Sequence, residues 1–261
     1  MKRISFFAWV LLAVATLSFQ SCVPGSGDEE STVTQLMIAR FDETSITDMC
    51  FYDIDGVKVI PEDPSILYTL GTKYGLYQFT AIYDPTTITD KQVTVKLNSE
   101  PEYIMNTSSI FSAEAFDGSF TSETLLPLYA VNSPQNNLYP VMFSERYLLV
   151  PVMFYGPSIV SDKEREAELK KHAFVISFEE IQQGDTTLKL HLNDVVSDPD
   201  IPRGYNYYVN QGFDLKPLID LFKSEGNKLE TISITGKVNA AGADYDTAKD
   251  ESPAYTISYK Y

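Results

Sequence analysis

The chain has 261 residues, with 20 basic and 36 acidic side chains and a formal net charge of −16. A hydrophobic content of 44% and 13% aromatic residues supply a buried core and exclude a disordered chain, in one large or two small domains. So acidic a surface repels phosphate, which argues against nucleic acid as a partner, and two histidines supply a His-based catalytic network poorly.

The amino terminus reads as an address. Lys2 and Arg3 precede an apolar run from Ile4 to Phe19, and Ser18-Phe19-Gln20-Ser21 leads to Cys22. A positive start, an apolar stretch and a small residue before the cut make a secretory signal over 1–21, too short for a membrane span of about 20 apolar residues. Cys22 as first mature residue points to a bacterial lipoprotein. Its thiol would carry diacylglycerol and its amino group an acyl chain such as palmitate, giving a membrane as partner. Phe19-Gln20 departs from the usual Leu-Ala pair, and an ordinary signal peptide with a coincidental Cys is the alternative. Without residues 1–21 the chain has 18 basic and 36 acidic side chains, a net charge of −18 over 240 residues. Residues 22–32 read as a flexible tether. Its acids Asp28-Glu29-Glu30 resemble the surface-export signal of some Gram-negative lipoproteins, though farther from Cys22 than is usual, and this resemblance sets the cell surface of the outer membrane ahead of its periplasmic face.

Alternation of period two dominates the chain beyond the tether. Strands are expected at 33–41, 46–54, 57–60, 75–83, 91–98, 145–155, 172–179, 186–193, 205–213, 229–238 and 254–260. Asp55-Gly56 between two runs predicts a tight hairpin with both central residues at positive φ. Cys50 reads as a small apolar strand residue with an inert buried thiol. Residues 99–144 are less regular, rich in Pro and Asn, and a domain junction is placed near 105. The first part, 33–105, suits a small barrel and the second, 106–261, a sandwich. Ser161 to Glu164 has capping-box spacing and opens a helix over Arg165–Lys171, charged nearly all round and therefore expected to be exposed. A second helix follows Pro217, with Leu218, Leu221 and Phe222 on its apolar face. In Leu188-Lys189-Leu190-His191-Leu192-Asn193 one face is leucine and the other polar.

The order of features resembles the NigD-like lipoproteins. The matching pieces are Cys22, Phe51 to Gly56, Gly75 to Tyr83, Arg146 to Val150, Lys171 to Ile176, Leu188 to Asp194, Gly212 to Leu215 and the terminal Tyr255 to Tyr261. The resemblance spans most of the mature chain, and none of its motifs is catalytic. It implies an all-β protein, an OB-like barrel followed by an antiparallel β-sandwich, and little biochemistry. The helix at 162–171 departs from it, where a short hairpin loop is expected.

Candidate chemistry is sparse. His191 and Asn193 share the polar face of a strand, and Asp194 points the other way. The plain reading is a solvated face whose His bonds a neighbour, and His172 reads likewise. A metal held by both lacks a third ligand at recognisable spacing. Asp194, Asp198 and Asp200 in one loop, and Asp244, Asp246, Asp250 and Glu251 in another, offer calcium oxygens without a dedicated loop pattern; solvated acidic loops are the better reading. Asp53 and Asp55 belong to a turn before a metal loop. Among 36 acids no pair stands out as a glycosidase dyad. No catalytic residue, cofactor or metal is assigned. Tyr205 and Tyr207 share a strand face and form a possible platform for a glycan, with Tyr208 opposite; ordinary strand packing is the alternative. The function expected is a non-enzymatic, lipid-anchored envelope protein that binds or assembles with an envelope protein or glycan. A glycan-binding accessory role and a carboxylate-dependent hydrolase are the alternatives.

Overall fold

The computed structural model describes residues 32–89, 91–132, 138–198, 200–243, 248 and 254–261. Cys22 and the acids Asp244, Asp246, Asp250 and Glu251 lie outside the described residues. The protein is all-β, with a few short helices.

The barrel is built from β1 (Val33–Phe41), β2 (Phe51–Tyr52), β3 (Lys58–Pro61), β4 (Gly75–Tyr83) and β5 (Gln92–Leu97). They pair in the order β1-β2-β3-β5-β4, and pairing of β4 with β1 closes the ring. The β3–β5 pair is parallel and the rest antiparallel, the OB-like arrangement. Alternate residues fill the interior: Phe41, Phe51, Tyr77, Phe79, Val93 and Val95 are buried together. The Phe51 and Phe79 rings lie 5.0 Å apart.

The strand expected at 46–54 is cut short: its first three residues belong to a helix, α1 (Glu43–Asp48), and only the two residues of β2 are extended. The cause is a capping box. The Ser45 amide donates to Asp42 Oδ1 at 3.1 Å, and the Asp42 amide donates back to Ser45 Oγ at 3.0 Å. Met49 ends the helix at φ 54°, and Cys50 is buried, its thiol pushed up by burial. The hairpin at Asp55-Gly56 also differs in detail. Only Gly56 has positive φ, because Asp53 Oδ1 accepts from the amides of Asp55 and Val57 and shapes a wider turn. A further helix, α2 (Ser65–Leu70), sends Leu67 into the barrel core.

Short β6 (Glu102–Tyr103) pairs with β4 and precedes the crossing into the sandwich. There, β7 (Phe111–Ser112), α3 (Ala113–Asp117), β8 (Leu125–Leu126) and β9 (Val141–Phe143) occupy the irregular stretch. They are followed by β10 (Tyr147–Gly156), α4 (Asp162–Leu169), β11 (His172–Phe178), β12 (Thr187–Val196), β13 (Tyr205–Asp214), α5 (Lys216–Ser224), β14 (Thr231–Gly236) and β15 (Tyr255–Ser258). One sheet runs β13-β10-β9 and the other β15-β14-β12-β11-β7, with β8 beside β12. The core between them joins Leu148, Val150, Val152 and Phe154 of β10 to Ile176, Leu188, Leu190, Leu192 and Ile234 of the facing sheet. The long hairpins are antiparallel, as expected for the sandwich, but β14 joins β12, and β7 joins β11, in parallel. Between β12 and β14 the chain passes through β13 of the other sheet and then α5, and so long a crossover, unlike a tight turn, allows a parallel strand.

Candidate functional site

Chemistry-bearing side chains converge where α4 meets the sandwich. Ser161 caps α4, accepting from the Glu164 amide at 3.3 Å. The charged composition predicts an exposed helix, but Glu168 in its last turn is 3% exposed. Spacing of four residues along the chain sets Glu168 Oε1 3.4 Å from His172 Nε2. On its other side His172 Nδ1 is within hydrogen-bond distance of both oxygens of Asp194, each at 2.9 Å. Asp194 is in phase with Leu188, Leu190 and Leu192, so strand alternation drives it inward.

Arg203, from the loop between β12 and β13, completes the group. Its Nε donates to Glu168 Oε1 at 2.9 Å, and its other nitrogens donate to the carbonyls of Asp198 and Ile201 and to the Asp198 carboxylate. Lys171 Nζ lies 3.0 Å from Glu168 and 2.9 Å from Asp198. Glu168 and Asp198 thus share two permanent cations, and His172 lies between Glu168 and Asp194. The rings of Phe154 and Phe174 enclose His172, with centroids at 4.7 and 6.1 Å.

Burial works against each carboxylate, and the partners decide the outcome. For Glu168 the burial cost is outweighed by hydrogen bonds from Lys171 and Arg203, which hold its carboxyl below the usual range. Asp198 is held down by the same two residues against the same cost. For Asp194 burial wins over the His172 hydrogen bond and pushes the carboxyl up. The imidazole is fully covered and flanked on both nitrogens. The group ties α4 and the 198–203 loop to the sheet.

His191 and Asn193 do lie on the opposite, polar face. His191 sits 2.8 Å from Thr235 Oγ1 and 3.4 Å from Glu179, and Asn193 donates to Ser177 Oγ at 3.1 Å. Among the described residues no set of three or more His, Cys, Asp or Glu could hold a metal ion. The acids 194–200 diverge, with Asp194 inward, Asp198 paired and Asp200 exposed.

Tyr205 is 58% exposed, but Tyr207 is turned into the structure. Its hydroxyl donates to the Pro157 carbonyl at 2.7 Å, and its ring packs 6.1 Å from that of Phe154. The two are not a joint flat surface. Tyr208 faces the other side, donates to Asn210, and is pushed up to about 12 by burial.

Sequence reasoning does not single out Glu168 and Arg203 as site residues. Two signals were present: an acid in phase with three leucines, and Glu168 and His172 four apart across the end of a helix.

No protein-family model matches the chain, and no curated protein matches it. Solved structures do. A candidate lipoprotein from Bacteroides fragilis superposes with a TM-score of 0.69 at 20% identity, over 87% of this chain and 99% of that one. A protein of unknown function from Bacteroides vulgatus gives 0.51 at 14% identity, over 88% and 92%. A NigD-like immunity protein from Bacteroides caccae is also matched, with a TM-score of 0.45 at 13% identity, over 89% and 100%. At such identities the likeness to the first two is one of fold. It extends through barrel and sandwich together.

Proposed function

We propose that the chain is a non-enzymatic cell-envelope protein, anchored to the bacterial outer membrane through lipid on Cys22 and facing the cell surface, with a binding or assembly role. Cys22 at the end of the apolar leader carries this reading. Residues 22–32, with the acids Asp28, Glu29 and Glu30, stand between it and β1, which begins at Val33. The described residues contain no helix long and apolar enough to cross a membrane. The likeness in fold to a candidate lipoprotein supports the same reading. Engagement of both histidines in internal contacts supports a role without catalysis.

Replacing Cys22 by Ala tests the anchor. The variant should leave the membrane fraction and keep its thermal transition, because the first strand begins only at Val33. A variant that still pellets after a high-salt wash would overturn the anchor.

A further inference from the structure

A cleft of about 550 Å³ opens between α3, the end of β11 and α5. Its floor is Phe178, Ile181 and Leu221. Leu221 stands out on α5, where Leu218, Ile219 and Phe222 are buried but Leu221 is 42% exposed. Three glutamates rim the floor: Glu114, Glu180 and Glu225. Among the described residues none of the three has an ion-pair partner, and no Lys, Arg or His lines the cleft. Lys223, in the last turn of α5, is held over the Tyr259 ring instead. Glu225 also sits at the carboxy-terminal end of α5, where the helix dipole adds negative potential.

We propose that this cleft docks a cationic amphipathic peptide segment of a partner protein. An apolar side chain of the segment would cover Phe178, Ile181 and Leu221, and flanking Lys or Arg would meet Glu114, Glu180 and Glu225. The volume lies within the range of ordinary ligand pockets. Charge selects the occupant: the rim repels acidic peptides and anionic lipid headgroups, and attracts cations in the setting of a strongly acidic chain. The apolar floor favours a segment with apolar side chains over a purely polar polycation. This inference rests on the binding role proposed above and names the partner's chemistry.

The test uses the full-length chain in non-ionic detergent and a synthetic leucine–lysine amphipathic peptide carrying a photo-crosslinking group. The peptide should bind and cross-link to residues of α3 or α5. Joint E114Q, E180Q and E225Q substitution should weaken binding by about tenfold or more. L221S should weaken it without changing the thermal transition. The matched set E62Q, E100Q and E102Q, on the barrel, removes the same charge and should leave binding unchanged. Absence of binding, equal loss from the barrel set, or cross-links confined to other surfaces would each overturn the cleft. Cross-links elsewhere would leave a binding role intact, whereas failure of the Cys22 test would remove the anchor and leave the cleft.

Discussion

Met105 packs against Gly212 at the junction of barrel and sandwich, so closely that a Cβ on Gly212 would lie 2.7 Å from the Met105 sulfur. The backbones also join here, with the Gly212 amide donating to the Ile104 carbonyl at 2.8 Å and the Asn106 amide to the Gly212 carbonyl at 2.7 Å. Gly75, at the start of β4 with φ 152°, leaves room for the same methionine on the barrel side. Asn210 adds a hydrogen bond of 2.6 Å to Gln78. Barrel and sandwich therefore meet through backbone contact that a larger side chain would block.

Gly212→Val should destabilise the protein by about 1–3 kcal/mol, the range for overpacking a closed site. Gly204→Val, where a Cβ meets nothing within 4 Å, should change stability by less than about 0.5 kcal/mol. Urea melts of the two variants check this. Equal midpoints would show that the junction yields without cost.

Arg203→Met should cost about 3–5 kcal/mol, because it leaves Glu168 buried without its closest cation. Arg203→Lys should recover only part of this, since an ammonium cannot reach Glu168, Asp198 and two carbonyls at once. Chemical denaturation of the pair reads the difference. Full recovery by Lys would show that charge alone matters.

Acid should destabilise the fold through Glu168. Its folded-state value lies below its ordinary value of 4.5. The stability it contributes is therefore complete above pH 4.5 and is lost as pH falls through the lower folded-state value. Asp198 acts in the same direction. Asp194, raised by burial, acts oppositely: its contribution is complete below its ordinary value of 3.8 and declines as pH rises through the raised one. Glu168→Gln should lower the melting temperature at pH 7 and flatten its fall below pH 4.5. Melting curves parallel to wild type across that window would refute the assignment.

Leu190→Asp should unfold the sandwich or cost several kcal/mol, because Leu190 is enclosed between the sheets and an unpaired charge there cannot be solvated. Lys189→Asp removes only an exposed ion pair with Glu179 and should be nearly silent by comparison. Thermal melts that shift equally would mean the strand phase is wrong.

The strand phase of β12 was legible in the sequence because alternation is a local property: each residue's face follows from its neighbour's. The same rule turned Asp194 inward while leaving its partners unnamed. The cap of α4 was legible from Ser161 and Glu164, which interact across three residues. The cap of α1 was present in Asp42 and Ser45 but was outweighed by the β-like composition around it. Arg203 lies 35 residues from Glu168, and their 2.9 Å contact exists only because β12 and its loop fold back over α4. No periodicity encodes that approach. The cleft likewise draws Glu114, Glu180 and Glu225 from three distant elements. The sequence alone determined the acidic balance, the all-β class and the inward phase of the main strands, because these depend on composition and nearest neighbours. Tertiary structure alone decided which charges are buried together, how closely Met105 and Gly212 approach, and which apolar residue is left uncovered. Those outcomes depend on how distant segments pack.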